Sequence, residues 1–330
     1  MVGNSSRESK EAVEARPGLL GTWFWPAVLA LTLLVIVLVT QWLLSLELKA
    51  DFLELLNIRW VLAALLLQGL CAVLAVFNWK WILELNGTGG LTFRHALTML
   101  GLNAIGKYAP GKVVGVLARG AWLVRYNGDT GLAVRATLVE QAAMLHVGAV
   151  LMVVAWLMKE AWVAAAILMA ALALLSVPVL SRWGGWIVGW ASRRLGRREV
   201  DTGKLVEAFA RSYCAACCSM LGIWTVTVVV LYCCILSFGQ AFQLDVWWLT
   251  WVVSLAYLSG FLAIFLPAGL GAREGVMVVM LGTHMDLGVA VYVALLHRLV
   301  TLAVDCLQGA VALVGERSAP SAAASIKQQE

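Results

Sequence analysis

The chain has 330 residues, of which 62% are hydrophobic and only 13% charged, with a formal net charge of +5. An ordinary soluble domain carries roughly 25% charged residues. So little charge cannot cover a soluble fold of this length, and the composition indicates an exterior that faces lipid.

Residues 1–18 mix Arg7, Lys10 and Arg16 with Glu8, Glu11 and Glu14, and read as a cytoplasmic N-terminal tail. A membrane-spanning helix needs about 20 mostly apolar residues, because the hydrocarbon core is about 30 Å thick and each residue rises about 1.5 Å. Runs of that kind lie at 26–46, 58–77, 133–157, 161–180, 213–238, 247–266 and 287–314. The first is too long for a cleaved signal peptide and reads as a signal anchor. None alternates polar with apolar, as barrel strands must. The expected fold is all-α: a polytopic bundle of about seven spanning helices with two re-entrant segments. Residues 19–316 form one membrane domain, and the small, polar stretch 317–330 reads as a disordered tail.

Short loops rich in Lys and Arg stay in the cytoplasm. Segment 181–212, read as a loop with one short helix at most, holds Arg182, Arg193, Arg194, Arg197, Arg198, Lys204 and Arg211, whereas 239–246 has no basic residue. This places the N-terminus and 79–132 on the cytoplasmic side of the cell (inner) membrane. Trp183, Trp186 and Trp190 recur at helical spacing, which fits either a helix in the headgroup layer or an ordinary basic loop. Among the seven cysteines, Cys214, Cys217 and Cys218 share a helix face, with Cys233 and Cys234 further along. They read as small packing residues. No metal-ligand set is apparent, and no metal or cofactor is expected.

Two stretches break the apolar pattern. The first contains Gly101, Asn103, Gly106, Lys107, Pro110, Gly111, Lys112, Gly115 and Arg119; the second contains Gly260, Pro267, Gly269, Gly271, Arg273, Glu274 and Gly275. Each has an apolar approach, a proline, a glycine and then a charged helix start. Proline stops the incoming helix, and glycine permits a tight backbone from which a new helix can begin. Short Gly/Pro-interrupted segments in two halves of a bundle point to re-entrant half-helices lining a transport site. Their exposed N–H groups and dipoles can accept an anion, and an adjacent Arg can grip a phosphate with two parallel hydrogen bonds. A phospholipid or polyprenyl-phosphate headgroup is such an anion, already attached to a membrane tail.

Plain turns and internal ion pairs are the alternative. A buried Arg costs about 3 kcal/mol on insertion scales, and Glu140, Glu274 and Asp305 are available to Arg119, Arg273 and Arg298. Between Lys107 and Arg135, however, Lys107, Lys112, Arg119, Arg125 and Arg135 face a single acid, Asp129, a surplus that asks for an external anion or an anionic leaflet. Arg298 and Asp305 lie seven residues apart and share a helix face. Glu140, Arg298 and Asp305 are therefore candidates for an ion or proton relay, or for bundle-locking pairs. His95, His284 and His297 read as interfacial or packed, and nothing forms a catalytic set.

At these residues the sequence resembles the flippase-like membrane-domain family, also called the lysylphosphatidylglycerol synthase transmembrane region. The resemblance rests on Asn103, Pro110, Gly111, Lys112, Gly115 and Arg119, then Glu140, then Pro267, Gly269, Gly271, Arg273, Glu274 and Gly275, then Arg298, and runs from about 58 to 315. Ala268 departs from it, since the family more often has glycine there. It implies lipid translocation: moving a phospholipid or lipid-linked sugar between leaflets, with Asn103, Lys107, Pro110, Gly111, Lys112, Arg119, Gly269, Gly271, Arg273 and Glu274 as the headgroup site. Aminoacyl transfer is not implied, since that chemistry belongs to a separate soluble domain, and no enzyme activity is expected. Expected partners are membrane lipids and a glycosyltransferase or lipid-modifying enzyme, not nucleic acid. Two other readings remain at this point. One is a non-catalytic partner that recruits such an enzyme through its basic face. The other is a lipid-phosphate-sugar glycosyltransferase using Glu47, Asp51 and Glu54.

Overall fold

A computed structural model describes residues 56–108, 113–127, 129–160, 162–194, 202–239, 245–263 and 266–316. The expected N-terminal tail, the first apolar run, Pro110, Gly111, Lys112 and the C-terminal tail lie outside the described residues. So do Glu47, Asp51 and Glu54.

The described residues are helical throughout: α1 (Ile58–Leu85), α2 (Phe93–Gly106), α3 (Val113–Asn127), α4 (Thr130–Lys159), α5 (Val163–Arg194), α6 (Thr202–Leu236), α7 (Val246–Leu262), a 3-10 turn (Pro267–Gly269), α8 (Ala272–Leu281) and α9 (Leu287–Glu316). Side chains fix several starts by accepting from the first free backbone N–H groups. Asn57 accepts from Arg59 N at 3.2 Å, Asp129 from Gly131 N at 2.8 Å and Asp245 from Trp247 N at 2.9 Å. The N–H of Asn57 also donates to the Ser237 carbonyl at 2.7 Å. That bond ties the start of α1 to the end of α6, so these two helices run antiparallel against each other.

Five helices, α1, α4, α5, α6 and α9, are long and apolar enough to cross a membrane. The sixth apolar run gives α7, whose 17 residues span about 25 Å before the chain breaks. The helices of the two interrupted stretches are shorter. α2, α3 and α8 have 14, 15 and 10 residues, about 21, 22 and 15 Å, and none can cross a core of about 30 Å alone.

The basic segment 181–212 is mostly helix rather than loop. α5 continues to Arg194 and α6 resumes at Thr202, so both overshoot a bilayer at about 48 and 52 Å. Glycine makes this possible. A Cβ on Gly184 would collide with the Phe209 ring, and one on Gly185 would sit 2.9 Å from Val206. The two helices thus approach closely in their projecting part. Trp183, Trp186 and Trp190 face outward, exposed. Cys214 and Cys218 are exposed and Cys217 is half-buried, while Cys233 and Cys234 are buried.

Candidate functional site

The two interrupted stretches meet. The Ala268 N–H donates to the Lys107 carbonyl at 2.9 Å, joining the α7–α8 turn to the end of α2. Each stretch is folded by a close glycine contact. A Cβ on Gly106 would run into Gly115 Cα, so α2 and α3 close on each other where neither has a side chain. A Cβ on Gly269 would lie 2.6 Å from the Gly260 carbonyl oxygen, and Gly269 and Gly271 both have positive φ, at 70° and 83°. α9 packs on this hairpin through the same device. A Cβ on Gly101 would strike the Gln308 backbone, and one on Gly309 would strike Ile105.

The charged residues divide into two groups. Arg119 on α3 is fully buried. Its Nη1 lies 2.7 Å from Glu140 Oε2 on α4, and its guanidinium rests 3.8 Å from the centre of the Trp79 ring. Nη2 donates to Thr137 Oγ1 at 3.4 Å. Arginine, carboxylate and ring enclose one another, and this arginine is spent within the protein.

The second group lies where the motifs join. Lys107 Nζ and the Tyr108 hydroxyl each lie 2.7 Å from Asp305 Oδ2. Arg298 Nη1 sits 3.4 Å from Glu274 Oε1, and its guanidinium is 5.4 Å from the Tyr108 ring centre. Arg273 has no carboxylate partner among the described residues. It donates to the Tyr257 hydroxyl at 2.5 Å, contacts His297 Nδ1 at 2.9 Å and rests 3.6 Å from the centre of the Tyr257 ring. Lys107 is about a third exposed, whereas Arg273, Glu274, His297, Arg298 and Asp305 are all buried. The group therefore opens to its surroundings at Lys107.

The internal pairing differs from the expected one. Glu140 does go to Arg119, but Glu274 takes Arg298 and Asp305 takes Lys107, leaving Arg273 to neutral groups. Part of the positive charge read along 107–135 is met from elsewhere in the fold: Asp305 meets Lys107 and Glu140 meets Arg119, while Asp129, within the stretch, meets Arg135 at 3.4 Å. The start of α8 does not present an open anion site either. Glu274 Oε2 accepts from the Gly271 N–H at 2.8 Å, so the protein's own carboxylate occupies the position that helix N-terminal donors favour. Of the headgroup residues expected from sequence, the fold brings Lys107, Gly269, Gly271, Arg273 and Glu274 together and seals Arg119 away. Asn103, one turn before Lys107, lies in the α2–α3 crossing, its carbonyl accepting from Lys107 N at 3.0 Å. Arg298 and Asp305 do share a face, and both reach the cluster.

His297 and Tyr257 were missed. A signal for His297 existed in the spacing of polar residues on an otherwise apolar helix: His297, Thr301 and Asp305 recur every four positions, which is one helical face. His146, by contrast, is accounted for. It lies 2.9 Å from the Tyr213 hydroxyl and 3.0 Å from Ser176 Oγ, tying α4, α5 and α6 together.

Beside the cluster, an apolar groove of about 710 Å³ runs between α1, α2 and α9, lined by Leu62, Leu66, Val73, Leu97, Val304 and Gln308 among others. Val304 and Gln308 flank Asp305 on α9, so the helix that carries the charges also walls the groove.

No curated protein matches the chain. A family model described as the lysylphosphatidylglycerol synthase TM region matches residues 25–309, most of the sequence and both halves of the cluster. With its all-helical membrane architecture, the chain belongs to that family, a membrane domain of flippase-like proteins.

Proposed function

We propose that the protein is a lipid flippase or transporter, moving a phospholipid or a polyprenyl-phosphate-linked sugar between leaflets without covalent chemistry. The carrying observation is the junction of the two interrupted motifs. One backbone hydrogen bond unites them, and around it charged side chains are buried inside a bundle whose exterior is apolar. Ionisable residues at such depth are costly and mark substrate paths. The neighbouring groove supplies an apolar wall against which a lipid tail can lie while its head enters the polar cluster. α2, α3 and α8, too short to span, act as re-entrant half-helices around this path, with the N-terminus on the cytoplasmic face.

The test is reconstitution into vesicles carrying a trace of fluorescent phosphatidylglycerol or of a fluorescent lipid-linked sugar. The fraction bleached by an impermeant reductant reports transfer. Wild-type protein should expose the inner-leaflet dye, and Arg273→Gln should reduce that exposure to the protein-free rate. Equal transfer with and without protein, for both lipids, overturns the proposal. It would favour recruitment of a lipid-modifying enzyme instead, a reading that the outward Trp183, Trp186 and Trp190 stripe supports.

A further inference from the structure

Contacts between helix ends fix which way each helix runs. Asn57, before α1, meets Ser237, just past the end of α6. The ring centre of Phe238 lies 6.2 Å from that of Tyr292 near the start of α9, and His284, beyond the end of α8, lies 4.2 Å from Trp248 at the start of α7. Lys159, closing α4, sits 5.8 Å from the Trp251 ring. These ends gather on one face of the bundle, and the α7–α8 hairpin opens there. At the other face Phe93, opening α2, lies 5.1 Å from Phe77 on α1, and His95 lies 5.0 Å from Tyr126 at the end of α3. The α2–α3 hairpin opens on that face. The two hairpins thus enter from opposite sides and touch at their tips, through Ala268 and Lys107.

This is the order of an inverted repeat. α1, the α2–α3 hairpin and α4 form one unit; α6, the α7–α8 hairpin and α9 form the same series upside down. A chain that ends the first unit on one face must cross once more to begin the second on the other. α5 is that crossing, with Ile167, Leu168, Leu174 and Leu175 exposed along it. The packing exchanges as a two-fold axis in the membrane plane requires: α2 rests on α9 and α7 on α4, α1 on α9 and α6 on α4, α3 on α4 and α8 on α9. The buried ion pairs exchange too. Arg119 on α3 meets Glu140, ten residues past the start of α4. Glu274 on α8 meets Arg298, eleven past the start of α9, with the signs reversed. In transporters built this way, one repeat rocks against the other and opens a path to each side in turn.

The axis pairs the α1–α2–α9 groove with the meeting of α6, α7 and α4. Val73, in the groove wall, is twelve residues before the end of α1; twelve before the end of α6 is Trp224. Val304 is seventeen residues past the start of α9, and Gly148 is eighteen past the start of α4. Trp224 is buried against Gly148, where a Cβ would sit 2.5 Å from the indole, and its ring centre lies 5.6 Å from that of Tyr257 on α7. Where the first repeat leaves a groove, an indole fills the corresponding place in the second, seated on a residue with no side chain. Leu62, Leu66 and Leu307 are exposed along the open groove, on helices long enough to cross a membrane, so the material that reaches it is hydrocarbon.

We propose that Trp224 is the gate of a second apolar groove, between α4, α6 and α7, and that the two grooves open alternately to a lipid tail from opposite leaflets. The structure holds the state with the first groove open and the indole seated. Lipid as the cargo rests on the transport proposal, whereas the repeat and the gate stand on the packing.

Photolabelling in nanodiscs tests the gate, with phosphatidylglycerol whose acyl chain ends in a diazirine and peptide mass spectrometry of the full chain. Wild type should carry most adducts on α1 and α9 around Leu66 and Val304, and fewer on α4 and α6 around Gly148 and Trp224. Gly148→Ala, which unseats the indole without deleting an atom, should raise the second set severalfold and lower the first. Trp224→Ala should do the same from the other side of the contact, while Trp224→Phe, which keeps a ring on the glycine, should label like wild type. In sealed vesicles an impermeant thiol reagent should reach Gly89→Cys from one side and Thr283→Cys from the other, as identified by the modified peptide.

Reaction of both cysteines from the same side overturns the inverted repeat. Absence of the second set in wild type overturns the gate. So does a second set that ignores Gly148→Ala and Trp224→Ala, or that rises while the first stays constant, because a plain cavity gains lipid without closing its partner. Reciprocal labelling in a protein that transfers no lipid sinks the transport proposal and spares the gate; transfer in vesicles that is indifferent to Trp224 does the reverse.

Discussion

Arg119 and Arg273 are both buried, and their guanidinium groups rest 3.8 Å from the Trp79 ring and 3.6 Å from the Tyr257 ring. In the sequence, Arg119 comes nine residues after Pro110 and Arg273 six after Pro267. They differ in what completes them: a carboxylate at 2.7 Å for Arg119, a hydroxyl and a neutral imidazole for Arg273. A flat cation on an aromatic face gains up to about 2 kcal/mol when desolvated, and both have that. Among the described residues, only the first has a carboxylate to neutralise it. Where the fold supplies the counter-charge, the arginine holds helices together; where it withholds one, the arginine is left for something that arrives.

The largest effect that would break this comparison is expected at Glu140. Glu140→Gln strands the Arg119 charge in the interior and should destabilise the protein by about 3–5 kcal/mol, read as a lowered unfolding temperature in detergent. Adding Arg119→Met should recover most of that loss, because replacing a buried pair with apolar groups is often near neutral. If Glu140→Gln is as stable as wild type, Arg119 has another anion and the contrast between the two arginines collapses.

A middle effect is expected where the half-helices close. Gly106→Ala pushes a methyl into Gly115 Cα; overpacking of this kind costs about 1–3 kcal/mol. Gly120→Ala, whose Cβ would find its nearest neighbour at 3.9 Å, should be close to neutral in the same melting experiment. Equal tolerance at both positions would mean that the α2–α3 crossing is looser than its geometry. The smallest effect concerns Ala268, which adopts φ 48°, a region that costs an L-residue roughly 1–2 kcal/mol. Ala268→Gly should raise the unfolding temperature slightly and leave lipid transfer intact. A lowered temperature would show that the Ala268 methyl makes a contact worth more than the strain.

The long spans were legible because lipid imposes a length and a composition on any helix that crosses it. The runs at 58–77, 133–157 and 287–314 each reappear inside α1, α4 and α9. The break at Pro267–Gly269 was legible for a similar reason, since proline and glycine stop and restart a helix abruptly; the Pro110–Gly111 pair lies outside the described residues. Pairing was not. Spacing along a helix says which residues share a face, as for Arg298 and Asp305, but nothing in it says that Asp305 would reach Lys107 or that Glu274 would turn to Arg298. The basic stretch 181–212 misled because its charge and its Gly184–Gly185 pair resemble a loop. There the glycines serve contact with Phe209 and Val206 instead of a turn.

The bond from the Ala268 N–H to the Lys107 carbonyl has one more consequence. It uses main chain on both sides, so every non-proline sequence can form it, and no side-chain substitution deletes it directly. Drift in the two motifs is thereby decoupled from their attachment: residues around the junction can change while the two halves stay hinged at the same point. The glycine more usual at this position in the resembling family, and the alanine here, would be two spellings of one joint. A fold with such a fastener can vary the residues around it without relearning its assembly.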